Sequence, residues 1–290
     1  MREFLSVLAL GAFWGLSPAM ARLMGLAGLP VTHVLAVTGI LVGVGLEILR
    51  RLKGGKGLGR TFWLYGLGCG FLINIPFAMS LWFARVLPIS TYSLVISTAP
   101  FFSYGLALAL GRERPHVLRL AALVTGFSAA ALLILTRGSA GQADPWLLAL
   151  SLVVPFLYAC YHLFAAMAWP KGMDGLAAGV TESFASAGLA LPFLLVLDPP
   201  PVPGAGALAY GLALITSIMW VAERIAFFWL IRHAGPVTTM QATYVSTPGG
   251  VIAGALLFRE PADHWLYLSL GLVLLALWFN MRASRDVRRG

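Results

Sequence analysis

Ten apolar runs follow one another along this chain, at roughly 4–22, 30–49, 62–83, 89–110, 116–136, 146–167, 174–197, 207–231, 236–258 and 264–281. A hydrocarbon core about 30 Å thick is crossed by about 20 apolar residues in helical form. Inside it every backbone polar group has to be satisfied without water, which a helix does within its own segment. The runs therefore predict an all-α polytopic membrane protein with ten transmembrane helices. Composition points the same way, with 59% hydrophobic and only 11% charged residues. A soluble domain needs about a quarter charged residues to cover its surface. The same figures exclude a disordered chain or a disulfide-built secreted scaffold. Cys69 and Cys160 fall inside apolar runs and read as small core residues.

The breaks between runs carry their own signals. Arg50 to Arg60 reads RRLKGGKGLGR, Asp198 to Gly206 reads DPPPVPGAG, and Pro115, Pro145 and Pro261 follow polar turns. Ala19-Met20-Ala21 has the small-x-small form of a signal-peptide cleavage site. The preceding run is longer than a signal core and contains Trp14-Gly15 and Pro18, so it is read as a retained span.

The formal net charge of +9 would suit a nucleic-acid binder only with a surface outside the bilayer to carry it. Here the basic residues lie in short connections, where they set orientation beside anionic headgroups. Nucleic acid is not an expected partner; lipid is. With the N-terminus inside, fifteen Lys and Arg fall on the inner side and four (Arg22, Arg85, Arg137, Arg259) on the outer side, leaving Arg224 within a run. The expected location is the cytoplasmic (inner) membrane with both termini cytoplasmic.

The two halves echo each other. Pro88 and Pro100 are twelve residues apart, as are Pro236 and Pro248, and PISTYSLVISTAP aligns with PVTTMQATYVSTP at an offset of 148. Arg112-Glu113 is echoed by Arg259-Glu260. Five spans per half forces the halves into opposite orientations. The chain is therefore read as two inverted five-helix repeats, residues 1–140 and 141–290. Many secondary transporters follow this plan, with the solute site near mid-membrane where the repeats meet.

Gly11-Ala12-Phe13-Trp14-Gly15 in the first run resembles the opening motif of the drug/metabolite transporter superfamily, EamA-type branch. Pro88 through Gly111-Arg112-Glu113 to Gly126 resembles that family's fourth and fifth helices, and Pro236 to Gly271 its ninth and tenth. The likeness covers nearly the whole chain as two repeats. It implies ten helices around a central cavity with alternating access, in a group that includes exporters of amino acids, nucleosides and toxic compounds and some importers. One departure is that Phe156 to His162, opening the second repeat, lacks the Trp-Gly pair.

Ionisable residues inside runs are the sharpest functional signal, because each costs a few kcal/mol at mid-bilayer unless paired or hydrated. Glu182 lies eight residues from one end of its run, Glu223 eight from the same side of the next, and Arg224 seven, while Glu47 is near a run's end. At about 1.5 Å per residue the three sit about 10–12 Å inside the inner boundary. A Glu182–Arg224 pair is feasible, leaving Glu223 as an extra carboxylate. The bland alternative is an ion network that only fixes helix packing. Neighbouring residues on a helix point about 100° apart, so Glu223 and Arg224 are not expected to face a cavity squarely together.

Trp220, Glu223 and Phe227 share one helix face, and Tyr158, Tyr161 and His162 share another. With Trp14 they make candidates for an aromatic solute site suited to organic cations or aromatic solutes. Asn74 beside Pro76, and Gln241 with Tyr244, are polar candidates for solute contact or interhelical bonding. His162 is a further coupling candidate. Pro76, Pro100, Pro155, Pro192 and Pro248 each free a carbonyl, with Pro76, Pro100 and Pro248 the candidate kinks for gating and Ser97-Thr98 and Ser246-Thr247 within reach. Gly39-x-x-x-Gly43, Gly250-x-x-x-Gly254 and Ala122-x-x-x-Gly126-x-x-x-Ala130 present small faces for close packing.

The expected function is secondary transport, most simply export, of a small polar, zwitterionic or cationic metabolite such as an amino acid or amine. The alternative is an importer or facilitator of an organic cation or nucleoside-like solute. No GxxxxGK[ST] phosphate loop is present, so energy would come from a solute or ion gradient, with proton coupling the candidate. A membrane enzyme is disfavoured, since His33, His116, His162, His233 and His264 are scattered without HxxxH or HExxH spacing. A retinal protein needs a lysine within a span, and Lys53, Lys56 and Lys171 are all in connections. No catalytic residue, metal or cofactor is expected, and a monomer is. Reporter tags at the two termini are expected to read cytoplasmic at both; opposite faces would break the ten-span reading.

Overall fold

A computed structural model of the chain describes residues 2–139, 144–196, 206–261 and 263–287. Among them are twelve α-helices and no strand. They are α1 (Arg2–Leu26), α2 (Val31–Leu52), α3 (Arg60–Val86), α4 (Ile89–Ile96), α5 (Ala99–Ala109) and α6 (Val117–Ser139). After residue 143 come α7 (Pro145–Ser151), α8 (Val153–Met167), α9 (Gly175–Val196), α10 (Ala207–Met240), α11 (Ala242–Phe258) and α12 (His264–Val287). The junction expected at residues 140 and 141, most of the 198–206 turn, and Arg288 and Arg289 lie outside the described residues. Seven helical segments are long and apolar enough to cross a membrane: Leu5–Leu26, Val31–Leu52, Arg60–Val86, Ile89–Ala109, Pro145–Met167, Gly175–Phe193 and Ala207–Met240. Val117–Leu132, Ala242–Phe258 and His264–Asn280 are shorter apolar helices.

Where the helices start and stop follows local chemistry. Asp144, Asp174 and Asp263 cap α7, α9 and α12, accepting bonds from the amides of Trp146 at 2.8 Å, Ala177 at 2.7 Å and Leu266 at 2.9 Å. Two apolar runs expected to be continuous are broken. Residues 89–110 form α4 and α5 around Ser97 and Thr98, and residues 146–167 form α7 and α8 around Leu152. Each break precedes a proline, Pro100 or Pro155, whose missing N–H weakens the local ladder. Hydroxyls then compete for carbonyls: Ser97 donates to Leu94 O at 2.6 Å, Thr98 to Val95 O at 2.7 Å, and Ser151 to Leu148 O at 2.6 Å. By contrast α3, α9 and α11 continue through Pro76, Pro192 and Pro248.

The expected break between residues 231 and 236 takes the form of a kink at Gly235. Helix α10 runs on to Met240 across Gly235, whose φ of 78° and ψ of 171° suit glycine alone, and the chain passes through Gln241 into α11. Glu223 and Arg224 thus sit in the long part of α10, and a sharp bend follows them.

Packing runs contrary to a soluble protein. Ile40, Val44 and Ile48 on α2, and Leu214, Ile215 and Ile218 on α10, face outward. Small residues face inward, because lipid tails are as apolar as leucine and helices gain from close approach instead. Helix α2 packs on α9 through Gly39 and Gly43, against Ser183, Phe184 and Ala187. Helix α3 also packs on α9, and α10 on α2; α1 meets α3, α10 and α11, while α8 meets α3, α5 and α10. Helices α4 and α11 pair, as do α6 and α12. At the end of the bundle where α1 finishes, Glu260 accepts the Ile89 amide at 2.6 Å, the Ser90 amide at 2.9 Å and Arg22 at 2.9 Å. Glu113, its echo in sequence, pairs with Arg119 at 2.6 Å instead.

The closest approach of a glycine to another helix's backbone tests this packing. A Cβ on Gly66 would lie 2.5 Å from the backbone carbon of Thr181 on α9, while one on Gly105 would meet nothing within 4 Å. Gly66→Ala is expected to cost about 1–3 kcal/mol, and Gly105→Ala to be neutral or to stabilise by up to about 1 kcal/mol. Thermal unfolding of the purified variants in detergent distinguishes the two.

Candidate functional site

Helices α1, α3, α4, α5, α8, α10 and α11 surround a central cavity of about 130 Å³. Its charged wall comes from α10, where Glu223 and Arg224 both line the space. Adjacent residues are not expected to face a cavity squarely together, and both touch this one. The side chains converge because the long arginine turns back toward its neighbour, bringing Nε to 3.7 Å from Glu223 Oε2. Arg224 Nη2 also lies 3.3 Å from Oε1 of Glu182 on α9, whose side chain is 1% exposed. Arg224 is therefore shared between two carboxylates.

Each carboxylate has a second partner. The indole N–H of Trp14 on α1 donates to Glu223 Oε1 at 2.8 Å. The Tyr161 hydroxyl on α8 donates to Glu182 Oε2 at 2.5 Å. One chain of contacts thus runs Trp14, Glu223, Arg224, Glu182, Tyr161 across four helices. Two carboxylates against one guanidinium leave a formal charge of −1, which burial tolerates only because every charge has a close partner.

The rest of the wall is aromatic. Tyr161 stacks on Phe227 with ring centroids 5.5 Å apart. His162 packs against Phe227 at 4.8 Å and Trp14 at 5.7 Å. Phe77 on α3 meets Trp220 edge-on at 4.9 Å. A hydroxyl chain adds polarity: Tyr92 on α4 donates to Ser80 Oγ on α3 at 2.8 Å, and Ser80 lies 3.0 Å from the Tyr158 hydroxyl. His162 is 2% exposed, and its Nδ1 has no hydrogen-bond partner.

The structure brings Trp14, Tyr158, Tyr161, His162, Trp220, Glu223 and Arg224 onto one cavity, with Glu182 directly behind. Three polar candidates lie elsewhere. Asn74 pairs with Ser186 on α9, donating from Nδ2 to its carbonyl at 2.9 Å and accepting from its hydroxyl. Tyr244 is fully buried and accepts from Asn280 on α12 at 3.0 Å. Gln241 forms the link between α10 and α11 and is outside the lining. Asn74 and Tyr244 meet interhelical needs, because a lone polar group facing a neighbouring helix finds its partner there. Pro76, Pro100 and Pro248 also lie outside the lining.

Sequence reasoning missed Ser80, Tyr92, Met240 and Thr243, all cavity residues. One signal was available. Tyr92 and Met240 occupy equivalent places in the 148-residue match, so finding one would have pointed to the other. Ser80 had no comparable mark beyond being the polar member of the Ile73, Phe77, Ser80 face.

Trp14→Phe keeps the ring packing but removes the donor to a nearly buried carboxylate. It is expected to destabilise the protein by about 1–3 kcal/mol, read as a lowered unfolding midpoint, with Glu223→Gln in the same background recovering part of the loss.

Among solved structures, 27 chains match. One of them, described only as a crystal structure of a protein, superposes with a TM-score of 0.65 over 98% of each chain at 14% identity. At that identity the likeness carries the fold alone. No family model and no curated protein matches the chain.

Proposed function

We propose that the chain is a secondary transporter of the drug/metabolite transporter superfamily, EamA type, moving a small polar, zwitterionic or cationic metabolite outward by alternating access. In this reading it spans the cytoplasmic membrane ten times with both termini cytoplasmic, as inverted five-helix repeats at 1–140 and 141–290. The seven long apolar segments and three shorter ones supply ten crossings. The packing pattern supports the inversion. Matching the first five segments to the second five turns the α3–α9 contact into α10–α2, α1–α11 into α8–α5, and α1–α10 into α8–α3. Segments matched to themselves, α2 with α9 and α6 with α12, also pack together. A two-fold relation in the membrane plane has this consequence, and it puts a solute site at the seam.

The observation that carries the reading is the cavity itself. It takes its wall from α1, α3, α4 and α5 of one half and α8, α10 and α11 of the other, and Glu223 and Arg224 are on that wall. Charges in a membrane helix are expensive and mark solute or ion pathways when they face a cavity. A structural ion pair alone would be packed shut. Here Arg224 keeps 21% of its side chain exposed beside its partners.

Counterflow in proteoliposomes across a panel of amino acids, amines and nucleosides tests the proposal, and exchange of at least one class is expected. Glu223→Gln retains an oxygen for the Trp14 N–H but removes the charge. It is expected to reduce exchange by roughly tenfold or more, as losing a charged hydrogen-bond partner does, while membrane insertion is unchanged. No exchange across the whole panel, or full activity in the variant, would overturn it.

A further inference from the structure

We infer that the cavity selects an organic amine without a carboxylate over the corresponding amino acid; this rests on the transport reading above. The argument is a matter of charge and partners. An α-amino acid presents one ammonium and one carboxylate, so its site needs a free cation or a set of unused donors for the carboxylate. Among the lining residues Arg224 is the basic side chain, and it is already shared between Glu182 at 3.3 Å and Glu223 at 3.7 Å. The Trp14 indole N–H is likewise spent on Glu223 at 2.8 Å. A solute carboxylate would have to displace one of these partners, or rest on the single O–H left over in the Tyr92–Ser80–Tyr158 chain, with two or three anions around one guanidinium in a low-dielectric site.

An ammonium meets the opposite situation. The trio's formal charge of −1 is neutralised by one added positive charge. Rings of Trp14, Phe77, Trp220 and Phe227 around the space favour a cation through their quadrupoles. The predicted solute class is therefore a monoamine with an apolar or aromatic body.

Matched pairs that differ only in the carboxylate isolate the effect: phenethylamine against phenylalanine, and isobutylamine against valine. Thermal shift of the detergent-purified full chain measures binding to the native state, and counterflow measures exchange. The amine of each pair is expected to protect and exchange at concentrations about tenfold or more below those of its amino acid, the scale of one charged hydrogen bond. In Glu223→Gln the protection by amines is expected to fall to the level of the amino acids. Equal or preferred binding of the amino acids overturns the inference while leaving transport in place. So does retention of amine preference in Glu223→Gln. If no member of either pair binds, this inference also fails, and the broad panel decides the transport reading separately.

Discussion

An ion left alone in hydrocarbon loses its hydration with nothing in return, and the architecture of this protein is organised around that constraint. Glu182, Glu223 and Arg224 come from two consecutive helices, α9 and α10, and they are held by donors from two more, Trp14 on α1 and Tyr161 on α8. The chain of contacts ties α1, α8, α9 and α10 together at one level. Moving any one of those helices would strip a charge of its partner. The cluster is therefore both a clasp between the halves of the bundle and the most polar surface of the cavity. The transport proposal uses the second property without denying the first.

Packing elsewhere obeys the complementary rule. With lipid outside, a large apolar side chain gains little by turning inward, so many leucines and isoleucines face out, others such as Leu10, Leu46 and Ile89 are buried, and glycine, alanine and serine make the closest helix crossings. Backbone polar groups follow the same economy. Glu260 closes the buried start of α4 by accepting two of its amides together with Arg22, a carboxylate placed where a helix dipole is positive. Its counterpart Glu113 makes no such cap and pairs with Arg119. A sequence echo thus has two different bonding outcomes at the two ends of the bundle.

Much of the fold was legible because hydropathy reports directly on solvent. Runs of apolar residues predict helices in lipid wherever they fall, and the ends of α2, α3, α9 and α12 lie within a few residues of the run boundaries. The breaks inside residues 89–110 and 146–167 were not legible. A proline alone does not decide them, since α3 and α11 continue through Pro76 and Pro248 while the ladder opens before Pro100 and Pro155. What decides is which carbonyls the neighbouring Ser and Thr hydroxyls capture and what the next helix supports. The candidate site divides similarly. The buried acids and Arg224 stood out because charge in an apolar run has few innocent explanations. Asn74, Ser80, Tyr92 and Tyr244 are neutral polar residues on apolar helices, and two of them reached the cavity while two bonded to a neighbouring helix.

Sequence by itself determined the medium, the helical state and the presence of a small set of charges that had to be compensated, because each depends on composition over a window of residues. Tertiary structure decided which partners compensate them, that Arg224 serves two carboxylates, and that Glu223 and Arg224 share one cavity despite adjacent positions on a helix. Those outcomes depend on where a long side chain bends and which helix stands opposite, and both are set by the three-dimensional packing of residues far apart in the chain.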